Sequence, residues 1–272
     1  MNRRSFIKIS SPVVLLLAGG EVVLASSHWL AANHNRKVKY RFVVASDGHY
    51  GQPKTDYENY FKTLVSRINE ENAKQAFSFC IINGDIIHDD KKHFPAAKAE
   101  LDLLKPPYYV SQGNHDHATA KEWEDVWKMP VNFDFSIKKD AFLIGTTSDE
   151  TGKYLCPDMK WMTQSLEKHR DRQNIFIFLH INPGKLTTHA VDCPDLFTLF
   201  GKYKNIRAVF NGHDHDEEGV KIKDNIPFVF DAHFGGSWGT DYRGFRIVEV
   251  LKDNSILSYI MNPFERIREQ SL

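Results

Sequence analysis

The chain has 272 residues, with 35 Lys+Arg against 35 Asp+Glu, 42% hydrophobic and 26% charged residues. That length suits one large domain with a sizeable core, and the composition is neither that of a disordered chain nor that of a membrane bundle. The balanced charge lacks the basic surplus that bulk nucleic-acid binding needs. The 3 cysteines cannot build a disulfide scaffold or a four-thiolate zinc site, whereas 13 histidines are many, and their positions carry information.

Residues 1–27 read as a targeting segment. Arg3, Arg4 and Lys8 precede an apolar run from Pro12 to Gly20 that ends at Glu21, and Val23-Leu24-Ala25 offers a small-residue end. The run is too short for a stable membrane span, which needs ~20 apolar residues. The pattern is that of a secretory signal cut near Ala25, with an uncleaved anchor or a frayed amphipathic start as alternatives. The string Asn2-Arg3-Arg4-Ser5-Phe6-Ile7-Lys8 resembles the bacterial twin-arginine export motif, departing from it at Asn2 and Ile7. It implies transient contact with that export machinery and a periplasmic or extracellular destination. Residues 1–25 hold three basic and one acidic side chain, so without them 32 basic face 34 acidic groups, a charge of −2.

From Lys37 to about residue 265, β-branched and aromatic runs alternate with helical patterns, as in an α/β layer fold of one domain. Strands are expected at Arg41–Ser46, Phe77–Ile82, Tyr108–Ser111, Phe142–Thr146, Ile175–Leu179, Arg207–Phe210, Phe228–Phe230, Phe245–Val250 and Ile256–Ile260. Tyr57, Tyr60, Phe61, Leu64, Val65 and Ile68 recur at three-and-four spacing, which predicts an amphipathic helix after the first strand. Further helices are expected at Ala96–Leu104, Lys121–Lys128, Asp158–Lys168 and Pro194–Phe200, with Pro157 and Pro194 suited to first turns. The last strands have no helices between them, which predicts antiparallel hairpins.

Five polar clusters follow five of these strands directly: Asp47-Gly48-His49, Gly84-Asp85, Gly113-Asn114-His115-Asp116, His180, and Gly212-His213-Asp214-His215. In an open α/β sheet the carboxyl ends of parallel strands share one edge, where ligands bind. Residues spread over about 170 positions would converge there. One histidine after a strand is more often a satisfied core residue, but five clusters in order, each at a strand end, are hard to explain as packing. Oxygen and nitrogen donors without thiolate suit a pair of divalent or trivalent transition-metal ions, Fe, Mn or Zn, rather than calcium or a structural zinc.

The series DGH, GD, GNHD, H and GHDH resembles the calcineurin-like metallophosphoesterase superfamily over nearly all of the chain after Lys37, and the stretch GDIIHDD resembles its bacterial cyclic-nucleotide phosphodiesterase branch. The resemblance implies a four-layer αββα sandwich of two mixed sheets flanked by helices. It implies one metal on Asp47, His49 and His215, a second on Asn114, His180 and His213, and Asp85 bridging both. His115 would be the general acid or transition-state stabiliser, oriented by Asp116. The implied reaction is hydrolysis of a small phosphodiester or phosphomonoester by a hydroxide held between the ions. A phosphomonoesterase or pyrophosphatase of the same fold is the alternative enzyme, and a non-catalytic binding protein on this fold the alternative of another class.

Several residues are open to two readings. His180 is followed by Ile181-Asn182-Pro183, where relatives often show a second His, which leaves His189 as the substitute ligand. His88, His117, His233 and Trp238 are candidates to line the substrate pocket, against an equal claim for loop packing. Cys156 and Cys193 are candidates to pair in an oxidising compartment, while Cys80 belongs to a core strand. Trp123, Val126 and Trp127 form a helical stripe that reads as core.

Overall fold

The computed structural model describes residues 37–262 in full, and the backbone alone at 13–16, 22–25 and 266–271. Most of residues 1–27, expected to be a targeting segment, lies outside the described residues, the paired arginines included. Within it, Val13–Leu16 (β1) and Val22–Ala25 (β2) pair antiparallel. No helix among the described residues is long and apolar enough to cross a membrane.

Two six-stranded sheets form the body. The first has at its centre Val38–Ala45 (β3), parallel to Cys80–Asn83 (β4), which is parallel to Tyr108–Ser111 (β5). On the other side of β3, Phe245–Leu251 (β12), Ile256–Met261 (β13) and Arg266–Ser271 (β14) continue antiparallel. The second sheet has a parallel core of Asp140–Gly145 (β7), Asn174–Leu179 (β8), Ile206–Asn211 (β9) and Ile226–Phe230 (β11). Antiparallel strands Phe133–Ile137 (β6) and Gly219–Lys223 (β10) close its two edges.

Alternation along each strand decides the layers, because successive side chains point to opposite faces. Phe42 and Val44 face the second sheet, as do Phe176 and Phe178 from the other side. Together with Phe79, Phe142 and Phe210 they make an aromatic core between the sheets. Phe42 stacks on Phe79 at 4.9 Å and meets Phe142 edge-on at 5.6 Å, contacts worth ~0.5–1.5 kcal/mol each beyond buried area. The intervening Val43 and Ala45 face helices Tyr57–Lys74 (α1), Phe94–Leu101 (α2) and Ala120–Trp127 (α3). Ile175, Ile177 and Leu179 face Met159–Lys168 (α4) and Pro194–Phe200 (α5). The result is the four-layer αββα sandwich expected, with Trp123 and Trp127 in the core.

Boundaries differ in places. The helix expected at 96–104 spans Phe94–Leu101, since Pro95 fits its first turn and the segment before Pro106 cannot continue it. Strands β6 and β10 are absent from the sequence reading; both are short edge strands with few fully buried residues. Cys156 and Cys193 are bridged, with Cα atoms 5.7 Å apart, and Cys80 is free and buried.

Candidate metal centre

Parallel strands of both sheets end at the same edge of the sandwich, and the polar clusters meet there. Asp47 and His49 follow β3, Asp85 follows β4, Asn114 follows β5, His180 follows β8, and His213 and His215 follow β9. Two of the glycines make the approach possible. A Cβ on Gly84, whose φ is +82°, would collide with the His180 ring, and one on Gly113 would collide with the Asp85 carboxylate. The chain turns so abruptly that Asp47 (φ 60°), His49 (46°), Asp85 (50°) and His213 (67°) adopt the left-handed region that non-glycine residues avoid.

The donor atoms fall into three groups, each within 4.8 Å: Asp47–His49–His215 and Asp85–His180–His213, which hold the expected ligands, and His49–His88–His115 nearer the rim. His215 Nε2 is 3.2 Å from Asp47 Oδ1 and 3.0 Å from His49 Nε2. His49 Nε2 is 3.8 Å from Asp85 Oδ2, which links the first group to the second. In the second group, His180 Nε2 is 3.1 Å from Asp85 Oδ2 and 3.7 Å from Asp47 Oδ1. His180 is therefore the histidine at this centre; the ring of His189 stands beside His213 at 6.2 Å and joins neither group.

Outer partners aim the rings. His180 Nδ1–H donates to the Asn83 carbonyl at 2.7 Å and His215 Nδ1–H to the Trp238 carbonyl at 3.1 Å. His49 Nδ1 faces His88 Nδ1 at 3.2 Å. Each arrangement turns Nε2 towards the carboxylates, the orientation a metal-binding imidazole needs. Burial drives His49 down to about 3 and His213 down to about 4, which keeps both neutral as ligands. Burial would also lower His180, but the charges of Asp85 and Asp47 prevail and push it up to about 10. Buried carboxylates that draw a proton so strongly define a place for positive charge.

Three buried polar atoms at this edge, Asn114 Oδ1, His180 Nε2 and His213 Nε2, have no hydrogen-bond partner. Orphaned buried donors and acceptors are rare and costly. All three belong to the residues expected to hold the second ion, so the donor set fits a pair of cations without any added residue.

The expected catalytic pair is arranged differently from the sequence reading. His115 is part-exposed at the rim, and its Nδ1–H donates to Asp89 Oδ1 at 2.6 Å. Asp116 is not its partner. The Asp116 carboxylate is buried and accepts from the backbone N–H of Ile86, Ile87 and Gly113 at 2.9, 3.1 and 2.8 Å, so it fixes the turns that carry Asp85 and Asn114. Burial and the Asp85 charge push it up to about 7.

Among the residues expected to touch substrate, His88 stacks on His115 with ring centroids 5.0 Å apart and supports His49. His117 spends its ring nitrogens on the Glu150 carbonyl at 3.2 Å and on Asp89 at 3.3 Å. His233 is a correction. It is buried behind His215, its nitrogens facing the Gly235 and Thr240 carbonyls, so it backs a ligand and has no free edge for substrate. Asp89 and Tyr154, whose ring stands edge-on to His213 at 4.8 Å, are site residues that the sequence reading does not reach. A separate cavity of about 390 Å³ lies beyond Phe234, between Leu64, Arg67, Tyr242 and Arg243, and holds none of the ligands.

Comparison with known proteins agrees with this geometry. The chain is 28% identical over 189 residues to a probable glycerophosphodiester phosphodiesterase GpdQ of Arcobacter nitrofigilis, covering 63% of this chain and 68% of that one. A dimetal phosphatase from Danio rerio shares the fold with a TM-score of 0.66 at 12% identity, over 87% of this chain and 98% of that one. GAP50, described as the anchor in the inner membrane complex of Plasmodium, does so with a TM-score of 0.62 at 14% identity, over 87% and 89%. The calcineurin-like phosphoesterase family matches residues 40–217, the stretch that contributes every ligand named above, and the chain belongs to that family.

Proposed function

We propose that the chain is a dinuclear-metal phosphodiester hydrolase. The observation that carries the reading is the meeting of seven O and N donors from five strand ends, three of them with buried atoms that make no hydrogen bond. Asp47, His49 and His215 would hold one ion and Asn114, His180 and His213 the other, with Asp85 between them. Fe, Mn or Zn suits this donor set. Bound there, the ions supply Lewis-acid charge against the phosphoryl oxygens and lower the pKa of water.

The chain's own groups do the rest. With Nδ1–H committed to Asp89, His115 exchanges its proton at Nε2, and the imidazolium donates to the leaving oxygen as the ester bond breaks. Asp89, held below the ordinary carboxylate value by His115 against the opposing effect of burial, keeps that tautomer and stabilises the charged ring. Asp116 keeps the two turns in register. His88 holds His49 by its outer nitrogen.

Two observations favour diesters. The relative from Arcobacter is named for a diester substrate. Among the described residues, no Lys or Arg forms an ion pair with Asp47, Asp85 or their histidines, so the donor set itself includes no side-chain cation for the second charge of a monoester. GAP50 is described as an anchor, and a binding protein on this fold is the alternative reading, but here every ligand position is filled. We also propose export to an oxidising compartment, supported by the Arg3-Arg4 motif and by the Cys156–Cys193 bridge.

The test is elemental analysis with a substrate panel. The mature chain should carry about two transition-metal ions, as expected of such centres, and cleave bis(p-nitrophenyl) phosphate at a kcat/KM at least equal to that for p-nitrophenyl phosphate. A clear monoester preference would make it a phosphatase, and no turnover by the metal-loaded chain would favour the binding protein.

A further inference from the structure

Five large apolar or aromatic side chains are strongly exposed among the described residues: Leu103, Tyr154, Leu155, Ile222 and Trp238. Leu103 lies in the loop after α2 and Ile222 on an edge strand. Tyr154 and Trp238 stand against the histidines of the metal centre. Trp238 is 43% exposed, yet its ring lies flat on His215, with centroids 4.3 Å apart and planes 11° apart. It also reaches His49 at 4.9 Å and His115 at 6.4 Å. Tyr154, 38% exposed, meets His213, which belongs to the other donor group. Each donor group thus has one open aromatic face beside it. A rigid aromatic face beside a polar pocket offers a ligand large contact area at little entropic cost.

Both residues are held in place. Tyr154 bridges to Ser148 at the neck of a turn in which Asp149 Oδ1 accepts from the N–H of Thr151 and Lys153 at 2.9 and 3.1 Å. Two residues later the chain is pinned by the Cys156–Cys193 bridge. On the other side, the Thr240 N–H donates to the His215 carbonyl at 3.0 Å, and Gly239 (φ +111°) allows the chain to press on His215. Such anchoring lowers the ordering cost of gripping a ligand.

We propose that Trp238 and Tyr154 are the specificity-determining residues of this site, and that they select esters bearing a flat, uncharged arm, aryl or heterocyclic, over small alkyl or polyol esters. The proposal rests on the phosphoester reading. Trp238, on the side of His115, flanks the leaving arm, and Tyr154 flanks the arm that stays on phosphorus. Two arms and two rings match a diester, and among the described residues no Lys or Arg stands over either ring to favour a charged arm.

The test compares p-nitrophenyl phenyl phosphate with methyl p-nitrophenyl phosphate, which share a leaving group, in the parent, Tyr154→Ala, Tyr154→Phe, Trp238→Ala and Trp238→Phe. Calorimetric binding of phenyl phosphate and methyl phosphate is measured on the same proteins, with metal content as the control. Tyr154→Ala should raise KM for the phenyl ester by about tenfold, the scale of a lost ring contact, and leave the methyl ester nearly unchanged. Trp238→Ala should raise KM for both esters, since both release the same aromatic p-nitrophenolate. Both Phe variants should restore parental values. Phenyl phosphate should bind the parent more tightly than methyl phosphate, and Tyr154→Ala should lose that difference. Equal effects of Tyr154→Ala on both esters, or a Trp238→Ala defect that tracks lost metal, would overturn the proposal. If the parent cleaves neither ester but keeps a ring-dependent preference for phenyl phosphate, the aromatic walls stand and the hydrolase reading falls.

Discussion

Tyr40, Asp140 and Asn174 at one end of the sandwich and Asp47, Asp85 and His180 at the other are all buried, and all sit where strands of the two sheets face each other. At the first end the groups satisfy one another. Asp140 accepts from Tyr40 Oη–H at 2.7 Å, Lys39 Nζ at 3.1 Å and Asn174 Nδ2 at 2.8 Å, and Asn174 exchanges bonds with Asn254. At the second end carboxylates and imidazoles face each other and three buried atoms are left without hydrogen bonds. A closed network joins sheets; an open one, made from similar residue types, waits for a ligand. The distinction is visible in hydrogen bonds alone.

The sharpest way to break the comparison is Asp85→Ala. If the open end is a metal centre, the variant should lose nearly all turnover and at least ~10² in metal affinity, while the metal-free fold melts close to the parent. Full metal retention by elemental analysis would end the dinuclear assignment. His115→Ala comes next: a fall in kcat of ~10²–10⁴ with unchanged metal. Asp89→Ala should follow in the same direction by about tenfold, and a wild-type pH profile in that variant would show that Asp89 does not orient His115.

The closed end should answer differently. Asp140→Ala leaves the Tyr40 hydroxyl and Asn174 without their acceptor and should cost ~2–3 kcal/mol in urea melts, with metal content and kcat unchanged. A loss of activity matching the loss at the open end would erase the distinction. The smallest effect is expected at Asp134. Burial would raise its carboxyl, but hydrogen bonds from Lys168, His169 and Ser165 hold it below the ordinary 3.8. A carboxylate held low stabilises the fold above the ordinary value and loses that contribution as pH falls through the lowered one. Asp134→Asn should therefore be less stable at neutral pH by ~1 kcal/mol, and the gap should close as pH drops below about 4. A gap that persists in acid would assign the effect to packing.

Much of the open end was legible because a strand that ends in Gly-Asp or Gly-His-x-His announces both a sharp turn and a donor. The closed end was not: nothing in the local pattern around Tyr40 or Asp140 says that residues a hundred positions apart will meet. The partner of His115 was misread for a related reason. Asp116 is its neighbour in sequence, but its carboxylate turns to three backbone amides, while Asp89, 26 positions away, reaches the ring. Strand β6 carries the period-two pattern, with Phe133 and Phe135 against the core and Asp134 bonded to α4, yet five residues after Pro130 give too little signal to name it. Trp238 and Tyr154 sit in loops, where periodicity carries no information at all.

The left-handed turns at Asp47, His49, Asp85 and His213 have a consequence for anyone who would make this protein more heat-resistant. Glycine adopts that backbone conformation freely, while each side chain there costs the fold on the order of 1 kcal/mol. Replacement by glycine would relieve that strain, but at Asp47 and Asp85 it would also remove carboxylates that accept from the His213 and His115 N–H at 3.1 and 2.8 Å. At His213, whose Nε2 has no hydrogen-bond partner, the relief stands unopposed by such a loss, and the metal-free variant would gain thermal tolerance and lose a ligand, so that there durability and chemistry select opposite amino acids.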